Sequence, residues 1–139
     1  MRIGIDLVEV ERFHGATRER LQRIFSVREL EYINKKNTTF EGLILGHEVS
    51  QSCQQTIAGL WCAKEAFFKA LGIGVTPSNI MEVEVLHNQY GAPYFKISPK
   101  VIEQHRFLST AKIYVSISHS NQTAVAVCII ESPEKWQPV

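Results

Sequence analysis

The chain has no excess of charge, no long hydrophobic run and no paired-cysteine motif, and each absence removes a class of function. Fifteen Lys and Arg stand against fourteen Asp and Glu. The strongly basic balance of a general nucleic-acid coat is missing, so no nucleic-acid partner is expected. No apolar run approaches the roughly 20 residues that cross a bilayer, so no membrane span is expected either. The amino terminus puts Asp6, Glu9 and Glu11 where a secretory signal needs an apolar stretch. The three cysteines, Cys53, Cys62 and Cys128, are odd in number and lack C-x-x-C spacing, which suits a reducing compartment and argues against a zinc site. There is no repeat and no low-complexity tract. What remains is 139 residues, 45% of them hydrophobic, enough for a core that needs no disulfide or metal. The expectation is one cytoplasmic domain over residues 1–139, with a loose tail over 132–139.

Periodicity and turn chemistry outline that domain. Ile3, Ile5 and Leu7 alternate with Gly4, Asp6 and Val8, a strand with one strongly apolar face. Glu9 to about Phe25 reads as helix, broken at Gly15. Ser26 and Glu29 form a capping-box pattern that restarts a helix to about Lys36. Residues 37–55 carry little periodicity. Ile57 to Leu71 is helix, closed by Gly72. Met81–His87 and Pro93–Ile97 are strands around the turn Gln89–Ala92. Ser98-Pro99 opens a helix to about Leu108. Lys112–His119 and Thr123–Glu131 are strands around Ser120–Gln122. The order β-α-α-α-ββ-α-ββ predicts an α+β domain, a mainly antiparallel sheet packed by a long central helix.

Several residues are out of place for simple packing. Asp6 interrupts an apolar strand, where Asp is disfavoured; it either caps the segment that follows or does chemistry. On the helix 57–71, Lys64 projects into the apolar arc, and a buried ammonium requires an anionic partner. Glu65 lies at the edge of that arc, with Lys69 four residues on, as an ordinary surface pair would be. His119 ends the apolar face of its strand, either as a core residue or with its ring at a cleft mouth beside Ser120. Carboxylates with nearby lysines suit magnesium and polyphosphate better than zinc. No G-x-x-x-x-G-K-[ST] or G-x-G-x-x-G loop is present.

The run Gly4-Ile5-Asp6-Leu7-Val8-Glu9 with Arg12, the block Trp61-Cys62-Ala63-Lys64-Glu65-Ala66-Phe67-Phe68-Lys69-Ala70-Leu71-Gly72, and Ser116-Ile117-Ser118-His119-Ser120 resemble the holo-acyl-carrier-protein synthases. These are the short, single-domain 4′-phosphopantetheinyl transferases. The segments Phe25-Ser26-x-x-Glu29, Gly72-x-Gly74 and Gly91-x-Pro93-Tyr94 extend the likeness from Ile3 to about Ile130. It implies transfer of 4′-phosphopantetheine from coenzyme A to a serine of apo acyl carrier protein, with release of adenosine 3′,5′-bisphosphate. By resemblance, Asp6 and Glu65 hold Mg²⁺, with Asp6, Glu65 and Lys69 as the catalytic residues. Lys64 and Lys69 neutralise the pyrophosphate, His119 and Ser120 lie near the coenzyme's phosphates, and the Gly91–Pro93 turn lies along the nucleotide. The proton of the carrier serine goes to a metal-site carboxylate or to a metal-polarised water. The family further implies a cytoplasmic homotrimer with sites between subunits, acting in fatty-acid biosynthesis and lipid metabolism. Whether the carrier serves fatty-acid or polyketide synthesis stays open.

Two positions depart from the pattern. Leu60 stands where an arginine is expected, and the stretch from about Asn37 to Thr56 is longer. They support an alternative, a non-catalytic coenzyme A-binding or scaffold trimer. A metal-free acyl-coenzyme A transferase would leave Asp6 and Glu65 idle. Between Glu11 and Lys36, seven basic residues (Arg12, Arg18, Arg20, Arg23, Arg28, Lys35, Lys36) face four acidic ones. That patch suits an acidic carrier protein.

Overall fold

The computed structural model describes residues 1–36 and 49–133; the expectations for 37–48 and for the tail beyond 133 lie outside them. Strand β1 (Arg2–Glu9) leads through a 3-10 turn at Val10–Phe13 to two helices, α1 (Arg18–Gln22) and α2 (Val27–Lys35). Helix α3 (Gln51–Leu71) follows, then the hairpin β2 (Val83–His87) and β3 (Pro93–Ile97). Helix α4 (Pro99–Gln104), a 3-10 turn and the strands β4 (Lys112–His119) and β5 (Thr123–Glu131) complete the order. The predicted α+β order holds, with the strands divided between an antiparallel sheet β1-β5-β4 and the antiparallel pair β2-β3. Helix α3 packs across all three strands of the larger sheet.

Four predicted boundaries change, the smallest at β2, which starts at Val83 and not Met81, after a 3-10 turn at Ile80–Glu82. The stretch 9–25 is not one helix: Gly15 turns with φ +67°, and Thr17 starts a new helix, its Oγ1 accepting from the Arg20 N–H at 3.2 Å. Helix α3 begins at Gln51, six residues before Ile57, capped by Ser50. Its opening turns are polar, so hydrophobic periodicity is silent there. Their glutamines bind backbone and turn groups instead: Gln54 Nε2 donates to Val49 O at 2.8 Å and Gln55 Nε2 to Ser120 O at 3.3 Å. Helix α4 stops at Gln104, and a 3-10 turn covers Arg106–Ser109.

The apolar face of β1 is the outer one. Ile3, Ile5 and Leu7 are 59%, 59% and 62% exposed, while Gly4, Asp6 and Val8 turn toward α3. A Cβ on Gly4 would stand 1.8 Å from Ala66 O and 2.5 Å from Ala70 N, so helix and strand meet backbone to backbone. Gly4→Ala should therefore cost about 3 kcal/mol in urea unfolding; wild-type stability would mean that α3 sits farther from β1.

Candidate active site

Asp6 sits near the middle of β1, on the face it shares with Gly4 and Val8, beside the C-terminal half of α3. Lys69 Nζ reaches Asp6 Oδ1 at 2.7 Å and Ile5 O at 3.1 Å. This bond is the main cause that raises the pKa of Lys69. Glu65, one turn earlier on the same face of α3, is half-buried. Burial raises its pKa and the charge of Asp6 adds to the rise, while Lys69 and Arg12 oppose it. The two carboxylates thus feel each other, as shared cation ligands must. Arg12 lies 4.8 Å over the Trp61 ring, which keeps its charge within reach of Glu65. Cys62 lies beneath this cluster, its Sγ 3.4 Å from Ala124 O. Burial first and Asp6 second push its thiol up to about 12, so it is an inert packing group.

Lys64 is placed elsewhere, which corrects its expected role on an anion-binding face. It is 0% exposed, and its Nζ contacts Glu29 Oε2 at 2.9 Å, Ile24 O at 2.7 Å and Ile80 O at 3.1 Å. The anion it requires is the buried Glu29 carboxylate. Burial lowers its pKa and Glu29 counters that. Glu29 also completes its capping box, accepting from the Ser26 N–H at 2.8 Å, and its Oε1 accepts from the Val85 N–H at 2.8 Å.

His119, Gly91 and Pro93 do come together, around a cleft of about 200 Å³. Helix α3 contributes Gln55, Thr56, Gly59 and Leu60, β4 contributes Ile117, and Tyr32 and His87 complete the lining. The hairpin turn is fixed by Asn88, whose Oδ1 accepts from the Tyr90 and Ala92 N–H groups at 2.9 and 3.0 Å. Gly91 takes φ +82° in this turn. Ser120 sits in the adjacent turn, where its Oγ accepts from the Gln122 and Thr123 N–H groups, each at 3.2 Å.

One protomer does not unite the two groups. Asp6 is in register with Ala126, and Ala126 with Ile117 at the cleft, a separation of two strand spacings, about 9–10 Å. Helix α3 lies over that gap, with Glu65 and Gly59 about 120° apart around its axis. Arg12, expected in the first motif and in the basic patch, stands here beside Glu65, while Tyr32 and His87 are site residues that the sequence does not mark. Nothing in their local spacing marks them, because α2 and β2 meet only in the fold.

Among the described residues, no group of three or more His, Cys, Asp or Glu could hold a metal alone. Two carboxylates fit Mg²⁺ all the same, because it keeps waters and substrate phosphates in its shell. No helix among the described residues is long and apolar enough to cross a membrane.

The sequence model of the 4′-phosphopantetheinyl transferase superfamily matches residues 2–128. The holo-[acyl-carrier-protein] synthase of Caldicellulosiruptor saccharolyticus is 40% identical over 134 residues, 95% of this chain and 97% of the relative. That of Clostridium tetani is 33% identical over 132 residues, 93% and 94% of the two chains. The Bacillus anthracis holo-(acyl-carrier-protein) synthase, solved in complex with CoA (3′,5′-ADP), is 26% identical with a TM-score of 0.68, over 94% of this chain and 96% of that one. The Neisseria meningitidis enzyme shares the fold at a TM-score of 0.72 and 21% identity, over 94% and 98%. With the superfamily model matching residues 2–128 and relatives matched nearly end to end, the chain belongs to the 4′-phosphopantetheinyl transferase superfamily.

Proposed function

We propose that this protein transfers 4′-phosphopantetheine from coenzyme A to a serine of an apo acyl carrier protein, with Mg²⁺ bound, and releases adenosine 3′,5′-bisphosphate. The observation that carries the reading is the Asp6–Lys69 contact of 2.7 Å with Glu65 beside it, in a chain whose relatives are holo-[acyl-carrier-protein] synthases. Asp6 and Glu65 would hold the metal, which supplies charge neutralisation at the pyrophosphate. The serine Oγ attacks the phosphorus that bears pantetheine, and the bond from that phosphorus to the adenosine-side phosphate oxygen breaks. The serine proton passes to one of these carboxylates or to a water that the metal would polarise. Lys69 turns from Asp6 to the leaving phosphate, whose charge it offsets. His119 and Ser120 lie near the coenzyme's phosphates and the Gly91–Pro93 turn along its nucleotide. Lys64 acts only through the fold.

A homotrimer fits the division of the site. The carboxylates and the cleft lie on different flanks of α3, and a neighbouring copy can bring one subunit's cleft to another's carboxylates. The outer face of the β1-β5-β4 sheet carries Ile3, Ile5, Leu7 and Tyr114 exposed, a stripe suited to burial against further copies. The free, buried Cys53, Cys62 and Cys128 suit a cytoplasmic place, and fatty-acid biosynthesis is the process proposed.

The deciding experiment incubates the protein with coenzyme A, Mg²⁺ and apo carrier, and reads the carrier by mass spectrometry. A phosphopantetheine mass gain is expected. Coenzyme A binding without mass gain on several carriers would instead favour the non-catalytic scaffold. The carrier is expected at the basic region, but Arg12 stands at Glu65 and Arg28 bonds Glu84 at 2.6 Å, so exposed Arg18 and Arg23 test docking more cleanly. Reversing both to Glu should raise the KM for carrier at low salt and leave coenzyme A binding unchanged. Carrier kinetics that do not move would return these arginines to a plain solvated face.

A further inference from the structure

The cleft holds a pair of rings that the proposed phosphoryl transfer does not use. Tyr32 of α2 and His87 at the end of β2 lie parallel, 3.9 Å between centroids and 5° between planes. His87 pairs with Pro93 across the hairpin and immediately precedes Asn88, so its backbone is fixed by the same turn that places Gly91. Its Nδ1 is buried and has no hydrogen-bond partner among the described residues. Turning the ring out would break the stack.

That geometry selects one form of the imidazole. A protonated ring, or the tautomer with hydrogen on Nδ1, would seal an N–H donor away from any acceptor, the costlier kind of orphan. The form with a bare Nδ1 and hydrogen on Nε2 avoids this. Burial and nearby Lys36 both lower the pKa of His87, which agrees with a neutral ring. The rest of the cleft matches in character. None of the described residues lining it is Lys, Arg, Asp or Glu, and Leu60 stands where the family resemblance leads one to expect a guanidinium. Such a lining is poor for a phosphate, which wants cations. It suits a flat, uncharged ring with polar edges, held by stacking and a few directed hydrogen bonds.

With the Gly91–Pro93 turn of this cleft lying along the nucleotide, as in the function proposed above, we propose that His87, seated on Tyr32, determines specificity for the base by donating its Nε2–H to a ring acceptor. The proposal rests on the coenzyme A reading above. It assigns the phosphates to groups outside the cleft lining or at its mouth.

The test uses the full-length protein with Mg²⁺, titrated calorimetrically with adenosine 3′,5′-bisphosphate and separately with 4′-phosphopantetheine, beside steady-state kinetics. His87→Phe keeps a ring on Tyr32 and removes only the donor; His87→Ala removes both. Both His87 variants should weaken adenosine 3′,5′-bisphosphate and raise the KM for coenzyme A about tenfold. The kcat, the KM for carrier and the affinity for 4′-phosphopantetheine should not move. If His87→Phe binds the nucleotide as wild type does, or loses both ligands equally, His87 is structural only and the proposal falls while the transferase reading stands. If wild type binds no coenzyme A, both fall.

Discussion

Lys64→Ala is expected to lose about 3–5 kcal/mol of stability, a large part of the roughly 5–15 kcal/mol that holds a domain of this size. The cause is not the loss of a strong attraction. A buried ion pair has an unfavourable desolvation term that roughly cancels its Coulombic gain, and the lowered pKa of Lys64 reflects that burial. The cause is what the variant leaves behind: Glu29, 0% exposed, with its charge still in the core. Neutralising that charge should recover stability. Glu29→Gln in a Lys64→Met background should be more stable than Lys64→Met alone, because the glutamine carbonyl oxygen can still accept a hydrogen bond at this site, although its amide cannot accept both of the N–H groups that Glu29 holds. Urea unfolding of wild type, Lys64→Met, Glu29→Gln and the double variant closes a double-mutant cycle. A Lys64→Met variant within about 0.5 kcal/mol of wild type would place Lys64 at the surface after all.

Lys64 also marks where sequence reasoning stops. That an ammonium in an apolar arc requires an anion was legible; which anion was not. Glu29 had already been read as half of a capping box, a local pattern that gave no hint of a second partner on a helix 35 residues away. Patterns closed within a few residues transferred well. The Ser26–Glu29 box, the Gly72 cap with φ +81° and the strands β4 and β5 stand where they were read. Face assignment transferred poorly on β1, since alternation reveals two faces without naming the inner one. The close approach of Ala66 to Gly4 decides it, leaving the more apolar face outside. The start of α3 was hidden for a related reason: glutamines that cap loops carry no hydrophobic period. In the candidate site, the i, i+4 spacing of Glu65 and Lys69 gave their common face, but the pairing of Lys69 with Asp6 spans 63 residues and needs the fold.

Asp6→Asn is expected to lower transfer by several orders of magnitude with the fold intact, because an amide keeps the shape of the carboxylate beside α3. The variant removes charge at the proposed metal and unpairs Lys69, which is about half exposed and can turn to water. Circular dichroism and urea unfolding should match wild type while the mass-spectrometric assay stays blank. Retained transfer at even a tenth of the wild-type rate would end the metal role of Asp6. The same variant tests how the site is assembled. His119→Ala should damage the cleft side only, and if each site joins one subunit's carboxylates to another's cleft, each variant supplies what the other lacks. Unfolding the two together and refolding them in equal amounts should then restore transfer at about a quarter of the sites, since a working site needs the intact carboxylate half from one kind of subunit and the intact cleft half from the other. A site contained in one protomer allows no such recovery, because every subunit in the mixture carries one broken half. The mixture separates the two arrangements by activity alone, and light scattering on the same sample gives the number of copies.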